Sequence, residues 1–157
     1  MSPTKNARST ARLASSQWYT IWSIVTATVA ALRARPEVTG GVASVGYCMG
    51  GRLSFLAAAH AGVDAAVSYY GGGIDGLLGD APRITCPLQF HFAELDHYIQ
   101  APAVAAVQAA FADRPNASVH VYGGVDHGFN CWGRGMYNQR AAAQARGRVL
   151  QFLAETL

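Results

Sequence analysis

The chain has 157 residues, enough for one domain with a hydrophobic core. Hydrophobic residues make up 51% of it and the formal net charge is +3, but the basic side chains form no run, which argues against a nucleic-acid interface. The three cysteines have no framework spacing, which argues against a disulfide scaffold and favours a reducing, cytoplasmic location.

The N-terminal region predicts a leader followed by a helix. Residues 1–15 are rich in Ser, Thr, Ala and Arg without periodicity, so we expect a disordered leader before a single domain over residues 16–157. Residues 18–32 are strongly apolar and imitate a signal peptide. That stretch is short for a membrane span and carries four Ser or Thr residues, so we favour a helix over residues 16–35 packed on a sheet and predict no membrane partner.

The rest of the chain alternates between short apolar runs and Ala-rich segments. The apolar run at residues 42–45, bounded by glycines, predicts a strand buried on both faces. Residues 65–70 and residues 88–92, which follow Pro87, also predict strands, and the alternating pattern of residues 118–122 predicts a fourth. The intervening segments predict helices at residues 52–61, 101–112 and 136–157, and residues 74–86 are predicted to be a loop. Strands alternating with helices indicate an α/β fold with a mostly parallel sheet of about four strands flanked by helices.

The strongest local signal is the segment Gly46–Gly51, which reads GYCMGG. It lies between a predicted strand and a predicted helix, as in a nucleophile elbow with cysteine in place of serine. In such a turn, small residues are expected two positions either side of Cys48, where a Cβ would crowd the backbone. The helix N-terminus favours a thiolate, and the N–H of Met49 is placed to donate to an oxyanion. The alternative is a glycine-rich phosphate-binding turn in a Rossmann-like domain, although the lysine of a Walker loop is absent.

Two further residues follow the next strands in the order expected for an acid and a base. Asp96 comes after the strand predicted at residues 88–92, and His127 comes after the strand at residues 118–122. Both therefore belong to the carboxyl edge of the sheet, where α/β proteins place their ligands. In the nucleophile-elbow fold the acid and then the base follow the nucleophile, so the order Cys48, Asp96, His127 predicts a catalytic triad.

Other residues remain alternatives for these roles. Glu94 or Asp126 could serve as the acid, although Asp126 adjoins the histidine in sequence. Cys86 and Cys131 are expected to pack as small apolar residues. The histidines and cysteines show no metal-ligand spacing, so no metal site is predicted.

These motifs resemble the dienelactone hydrolase (carboxymethylenebutenolidase) family of the α/β-hydrolase superfamily. The resemblance is carried by residues 46–52, by residues 87–99 with the acid, and by residues 127–129, which read HGF, and it covers roughly residues 17–157. It implies hydrolysis of a small carboxylic ester or lactone: Cys48 forms an acyl-thioester, His127 moves protons, and Asp96 orients the histidine. It implies no cofactor.

Residues around this set are expected to contact the substrate: Tyr47, Phe129 and Arg134. The family's arginine that binds the carboxylate of dienelactone lies shortly after the histidine, where this sequence has Asn130 and Cys131. The resemblance therefore does not specify dienelactone itself, and Arg134 is the candidate substitute.

The elbow also arrives early in the chain. Four strands precede it in the α/β-hydrolase fold, whereas only one helix is predicted here. We expect an N-terminally truncated, partial fold without the loop that gives a second oxyanion donor, and with an uncovered sheet edge that would favour self-association. The alternative function is therefore a non-catalytic family member that acts as a binding or dimerising module.

Overall fold

A computed structural model describes residue 21 and residues 23–157. In this part of the chain four strands form one sheet: β1 (Ala43–Tyr47), β2 (Ala65–Tyr69), β3 (Leu88–Ala93) and β4 (Ala117–Tyr122). The strands lie in the order β1-β2-β3-β4 and every neighbouring pair is parallel, which confirms the predicted α/β class. The predicted leader, residues 1–15, and the start of the first predicted helix lie outside the described residues.

Four helices flank this sheet: α1 (residues 23–33), α2 (Met49–His60), α3 (Ala101–Phe111) and α4 (Gln139–Thr156). Among the described residues, none of the helices is both long enough and apolar enough to cross a bilayer. Residues 75–83, predicted to be loop, form a 3-10 helix. Helix α4 begins at residue 139 rather than 136, because the side chain of Asn138 accepts the N–H of Ala141 at 3.0 Å and caps the first turn.

Helices α2 and α3 pack on one face of the sheet through aromatic side chains. Phe90 of β3 lies 6.3 Å from Phe55 of α2 and 5.1 Å from Phe111 of α3, measured between ring centroids. All three rings are at most 3% exposed. Each of these residues buries a large apolar area, and together they join the two helices to the centre of the sheet.

The opposite face carries a row of rings, one from each strand in the same register: Tyr47, Tyr69, His91 and His120. The ring of Tyr69 stacks on those of Tyr47 and His91 at centroid distances of 4.6 and 4.4 Å, and the ring of His120 lies tilted at 5.4 Å from that of His91. Helix α4 lies over this face, and its Arg148 guanidinium sits 5.3 Å from the ring centroid of Tyr122.

His91, in the middle of the row, is fully buried and hydrogen-bonded at both ring nitrogens. Its Nδ1 lies 2.8 Å from the Tyr122 hydroxyl, and its Nε2 lies 2.9 Å from Oε1 of Gln89. Burial lowers the pKa of His91 to about 3, helped by the nearby His120 and Arg148. The imidazole is therefore neutral at physiological pH.

Because all four strands run in the same direction, their carboxyl ends meet at one edge of the sheet. The turn after β1, the loop after β3 and the loop after β4 all leave from this edge. These are the segments that hold Cys48, Asp96 and His127.

Candidate active site

Cys48 occupies the sharp turn that joins β1 to α2. Its backbone has φ 56° and ψ −119°, and its side chain is exposed. A residue other than glycine at positive φ costs of order 1–3 kcal/mol, so the surrounding backbone must hold it there. Two hydrogen bonds do so: the Cys48 N–H donates to the carbonyl of Tyr69 at 3.0 Å, and the Cys48 carbonyl accepts the N–H of Gly51 at 2.9 Å.

The glycines around this turn are not equivalent. A Cβ on Gly46 would lie 1.8 Å from the carbonyl oxygen of Gly50, and one on Gly51 would lie 2.4 Å from the carbonyl oxygen of Tyr69. A Cβ on Gly50 would meet nothing within 4 Å. The expectation that small residues are needed two positions either side of Cys48 is therefore correct for Gly46 and wrong for Gly50. The close approach on the helix side falls at Gly51, which packs against the end of β2.

Met49 is the first residue of α2, and its N–H makes no hydrogen bond to another described residue. The first N–H groups of a helix have no intrahelical acceptor, and they carry the positive end of the helix dipole. The group next to Cys48 is thus available to a developing negative charge.

Asp96 and His127 are joined across the loops that follow β3 and β4. Nδ1 of His127 lies 2.8 Å from Oδ2 of Asp96, and the other carboxylate oxygen, Oδ1, accepts the N–H groups of Tyr98 and Ile99, both at 2.9 Å. Asp96 is only 5% exposed. Since an ionised carboxylate only accepts, the proton of this pair sits on Nδ1 of the imidazole, which leaves Nε2 as the basic nitrogen.

The charge state of His127 reflects this pairing. The hydrogen bond that His127 donates to Asp96 raises the pKa of His127, partial burial opposes the rise, and the thiol of Cys48 raises it further. The Nε2 atom is buried and has no hydrogen-bond partner among the described residues. A basic nitrogen without a partner therefore lies close to the Cys48 thiol.

Two tyrosines that the sequence did not single out pack against the ring of His127. The centroid of Tyr70 lies 4.9 Å from that of His127, and the centroid of Tyr98 lies 5.0 Å away in an edge-on arrangement. Tyr70 is buried at positive φ (35°), and burial raises its pKa above the usual value, so its hydroxyl stays protonated. Tyr98 is 72% exposed and forms the outer wall. The available signal in the sequence was their position, because Tyr70 directly follows β2 and Tyr98 lies two residues after Asp96.

The three residues expected to contact the substrate have different surroundings. Phe129 has no exposed surface and packs 5.5 Å from Tyr70 and 4.9 Å from Tyr122 between centroids. It therefore supports the site from beneath, and the expectation that it contacts substrate is corrected. Arg134 is exposed and near enough to Tyr70 to oppose the rise in that pKa. Tyr47 is half-exposed and stacks on Tyr69.

Tyr47 also lines a groove of about 590 Å³ along α4. Aromatic and aliphatic side chains with one arginine form much of its wall, and they include Tyr69, Trp132, Tyr137, Arg146, Val149 and Leu150. The groove is not lined by Cys48, Asp96 or His127. It lies on the face of the sheet that α4 covers, beside the elbow rather than over it.

The alternative candidates have other partners. The carboxylate of Glu94 accepts the N–H of Gly124 at 2.7 Å, and that of Asp126 pairs with His97 and with the backbone N–H of His127, so neither contacts the His127 ring. Cys86 packs against the core. Within the described residues, no group of three or more His, Cys, Asp or Glu side chains could hold a metal ion.

Comparison with protein families gives one match over almost the whole chain: residues 2–157 match the dienelactone hydrolase family. A putative carboxymethylenebutenolidase of Azospirillum brasilense is 46% identical over 109 residues, covering 69% of this chain and 47% of the relative. The carboxymethylenebutenolidase of Pseudomonas putida is 40% identical over 122 residues, covering 78% of this chain and 52% of the relative. The chain thus spans about half the length of these curated relatives.

Solved structures agree with this match. A putative dienelactone hydrolase from Klebsiella pneumoniae superposes with a TM-score of 0.65 and 30% identity, covering 71% of this chain and 51% of the other. A dienelactone hydrolase-like promiscuous phosphotriesterase from metagenomic libraries superposes with a TM-score of 0.77 and 26% identity, covering 98% of this chain and 68% of the other. The four-stranded sheet and its helices therefore correspond to part of the α/β-hydrolase-like fold of these proteins.

Proposed function

We propose that this chain, which belongs to the dienelactone hydrolase family, hydrolyses small carboxylic esters or lactones through an acyl-thioester on Cys48. The observation that carries the proposal is the 2.8 Å hydrogen bond between Nδ1 of His127 and Asp96, with the basic Nε2 left free beside a thiol held at positive φ. A nucleophile, a base beside it and an acid that orients the base form the arrangement that covalent catalysis requires.

In the first half-reaction the thiol proton passes to Nε2 of His127 and the sulfur attacks the carbonyl carbon. The carbonyl oxygen becomes an oxyanion, which the N–H of Met49 stabilises at the N-terminus of α2. When the tetrahedral species collapses, the C–O bond to the leaving group breaks. The alkoxide takes the proton from His127, and the acyl group remains on Cys48 as a thioester.

In the second half-reaction His127 acts as base a second time. It removes a proton from water, the hydroxide attacks the thioester carbonyl, and the C–S bond breaks to release the carboxylic acid. The thiolate regains its proton from the imidazolium. Throughout, Asp96 fixes the histidine tautomer and stabilises the imidazolium without itself taking a proton.

The surroundings support small substrates with a polar or anionic end. Tyr98 forms an exposed wall next to His127, and the guanidinium of Arg134 lies near the hydroxyl-bearing ring of Tyr70. An arginine close to Tyr70, whose ring packs on that of His127, would attract a substrate carboxylate. Tyr47 is the candidate for contact on the groove side.

The proposal is tested by hydrolysis of a short-chain nitrophenyl ester with purified protein and two cysteine variants. Cys48→Ala is expected to abolish turnover above the uncatalysed rate, while Cys131→Ala, a matched loss of a thiol near the site, is expected to retain it. Equal rates for Cys48→Ala and the unmodified chain would contradict the proposal. That result would favour the alternative, a non-catalytic member of the family.

A further inference from the structure

Two loops carry the residues of the proposed acid–base pair. The loop after β3, residues 94–100, holds Asp96 and is called here the acid loop. The first part of the loop after β4, residues 123–130, holds His127 and is called the base loop. One backbone hydrogen bond joins the two loops, from the N–H of Leu95 to the carbonyl of Val125 at 2.9 Å. The side-chain carboxylates of Glu94 and Asp126 also make hydrogen bonds from one loop to the other. The spacing of these loops sets the distance between Asp96 and the ring of His127.

Asp126 is the carboxylate that makes the larger number of contacts between these loops. Its Oδ1 accepts the N–H of His127 at 2.6 Å and the N–H of His97 at 3.1 Å. Nδ1 of His97 lies 2.8 and 2.9 Å from the two carboxylate oxygens. The hydrogen bonds from His97 and His127 lower the pKa of Asp126, so the group is an anion at neutral pH.

The rings of His97 and Tyr98 connect Asp126 to the ring of His127. The ring of His97 packs 3.9 Å from that of Tyr98, and the ring of Tyr98 lies edge-on to that of His127 at 5.0 Å, between centroids. Asp126 is therefore linked to His127 in two ways, one direct and one indirect. It binds the backbone N–H directly, and it holds His97, which supports the ring that packs on the imidazole.

We infer that Asp126 is a positioning residue, which ties the acid loop to the base loop and so holds the ring of His127 against Asp96. This inference rests on the proposed function for its kinetic consequences. Asp126 reaches no reacting atom, because its carboxylate is committed to His97 and to the backbone of residue 127. Its effect passes through His127, whose position decides proton transfer to and from Cys48.

The chain offers a matched control in Glu94. Its carboxylate also ties the two loops, since Oε2 accepts the N–H of Gly124 at 2.7 Å, and it is also exposed. It makes no hydrogen bond to His127 or to His97. Replacing Glu94 with alanine therefore removes one carboxylate tie of similar chemistry while leaving the contacts of the histidine intact.

The experiment compares Asp126→Ala, Asp126→Asn and Glu94→Ala in steady-state ester hydrolysis. Because a shift of about 1 Å in a catalytic group can cost on the order of 100-fold in rate, we expect Asp126→Ala to lower kcat by about 10-fold with KM nearly unchanged. Asp126→Asn should recover most of kcat, since the amide oxygen can accept the same two backbone N–H groups. Glu94→Ala leaves the contacts of His127 in place, so its kcat should stay within about 2-fold of that of the parent chain.

A second measurement does not depend on activity. The pKa of His127 is followed by NMR titration of its imidazole in each variant. Asp126→Ala should lower the pKa of His127, because the hydrogen bond to Asp96 that raises it is weakened; Glu94→Ala should leave it unchanged. If no ester is hydrolysed by the parent chain, the proposed function fails, yet this titration still decides the role of Asp126.

If Asp126→Ala does not fold, His97→Ala takes its place, because it removes the imidazole partner and leaves the backbone N–H contacts. It should lower kcat and the pKa of His127 in the same direction by a smaller amount. The inference is overturned if the variants that fold change the pKa of His127 no more than Glu94→Ala does. It is also overturned if kcat falls equally in the variants of Asp126 and Glu94.

Discussion

Gly46, two residues before Cys48, gives the sharpest prediction of the local geometry. A Cβ added at Gly46 would lie 1.8 Å from the carbonyl oxygen of Gly50 and 2.2 Å from its carbonyl carbon. Ordinary contact begins near 3.4 Å, so the first turn of α2 would have to retreat by about 1.6 Å. The obstructing atoms are backbone, and no side-chain rotation can relieve the clash.

The expected cost follows from that displacement. Overpacking a close-packed site costs about 1–3 kcal/mol, and because backbone must move we expect Gly46→Ala to destabilise the fold by about 3 kcal/mol. Movement of α2 also moves Cys48, whose carbonyl is bonded to the N–H of Gly51. A shift of more than about 1 Å at Cys48, the proposed nucleophile, should lower ester hydrolysis by about 100-fold.

Gly50→Ala provides the matched substitution on the other side of Cys48. Nothing lies within 4 Å of its added Cβ, and the residue is in the first turn of α2. Alanine is favoured over glycine in a helix by about 0.5–1 kcal/mol, so this variant should be slightly stabilised and keep its activity. Urea denaturation and ester hydrolysis of both variants measure the contrast. Equal stabilities, or a greater loss of stability in Gly50→Ala, would contradict the predicted clash at Gly46.

Three further predictions concern titratable side chains. Asp96→Asn should lower kcat by about 10³-fold or more in ester hydrolysis: Oδ1 already accepts two backbone N–H groups, so the introduced amide would turn its NH2 towards Nδ1 of His127 and force the other tautomer. The value of kcat/KM should increase with pH through an apparent pKa above 6.5, because His127 must be neutral to accept the thiol proton and Asp96 raises its pKa. An increase with an apparent pKa at or below 6.5 would contradict the mechanism. The pKa of His91 is about 3 in the fold against 6.5 for the free side chain, so the unfolded state binds the extra proton between these values. The free energy of unfolding should therefore fall as the pH drops below about 6.5, by up to about 1.4 kcal/mol per pH unit, and urea titrations of His91→Gln should show a smaller slope; an unchanged slope would contradict the burial argument.

The parallel sheet was predictable because its signals are local. The runs that became β2 and β3 are apolar and bounded by glycine or proline, and the structure places them within one residue of the predicted ends. The start of α2 was predicted three residues late, since Met49-Gly50-Gly51 has the composition of a turn. Only the backbone hydrogen bonds to the Cys48 carbonyl show that the helix begins directly after the elbow.

The candidate site was less accessible to sequence reasoning than the sheet. The chain order of Cys48, Asp96 and His127, with their positions after strands, placed them at one edge. The burial of Phe129 was not foreseen, because a phenylalanine in a glycine-rich loop carries no periodic pattern that separates core from pocket. Asp126 was considered only as a possible acid, and its bonds to His97 join residues 29 positions apart, a distance over which sequence gives no pairing signal.

A covalent acyl group on Cys48 would be detected by intact-protein mass spectrometry after the chain is mixed with a nitrophenyl ester and rapidly quenched with acid. We expect a population heavier by one acyl group, which peptide mapping locates at Cys48 and which is absent from Cys48→Ala. When the Cys48 thiol of His127→Ala is acylated chemically, we expect more of this species to persist, because deacylation needs the imidazole base. Ester turnover without any acylated Cys48, or an equal adduct on Cys131, would contradict the proposed acyl-thioester on Cys48.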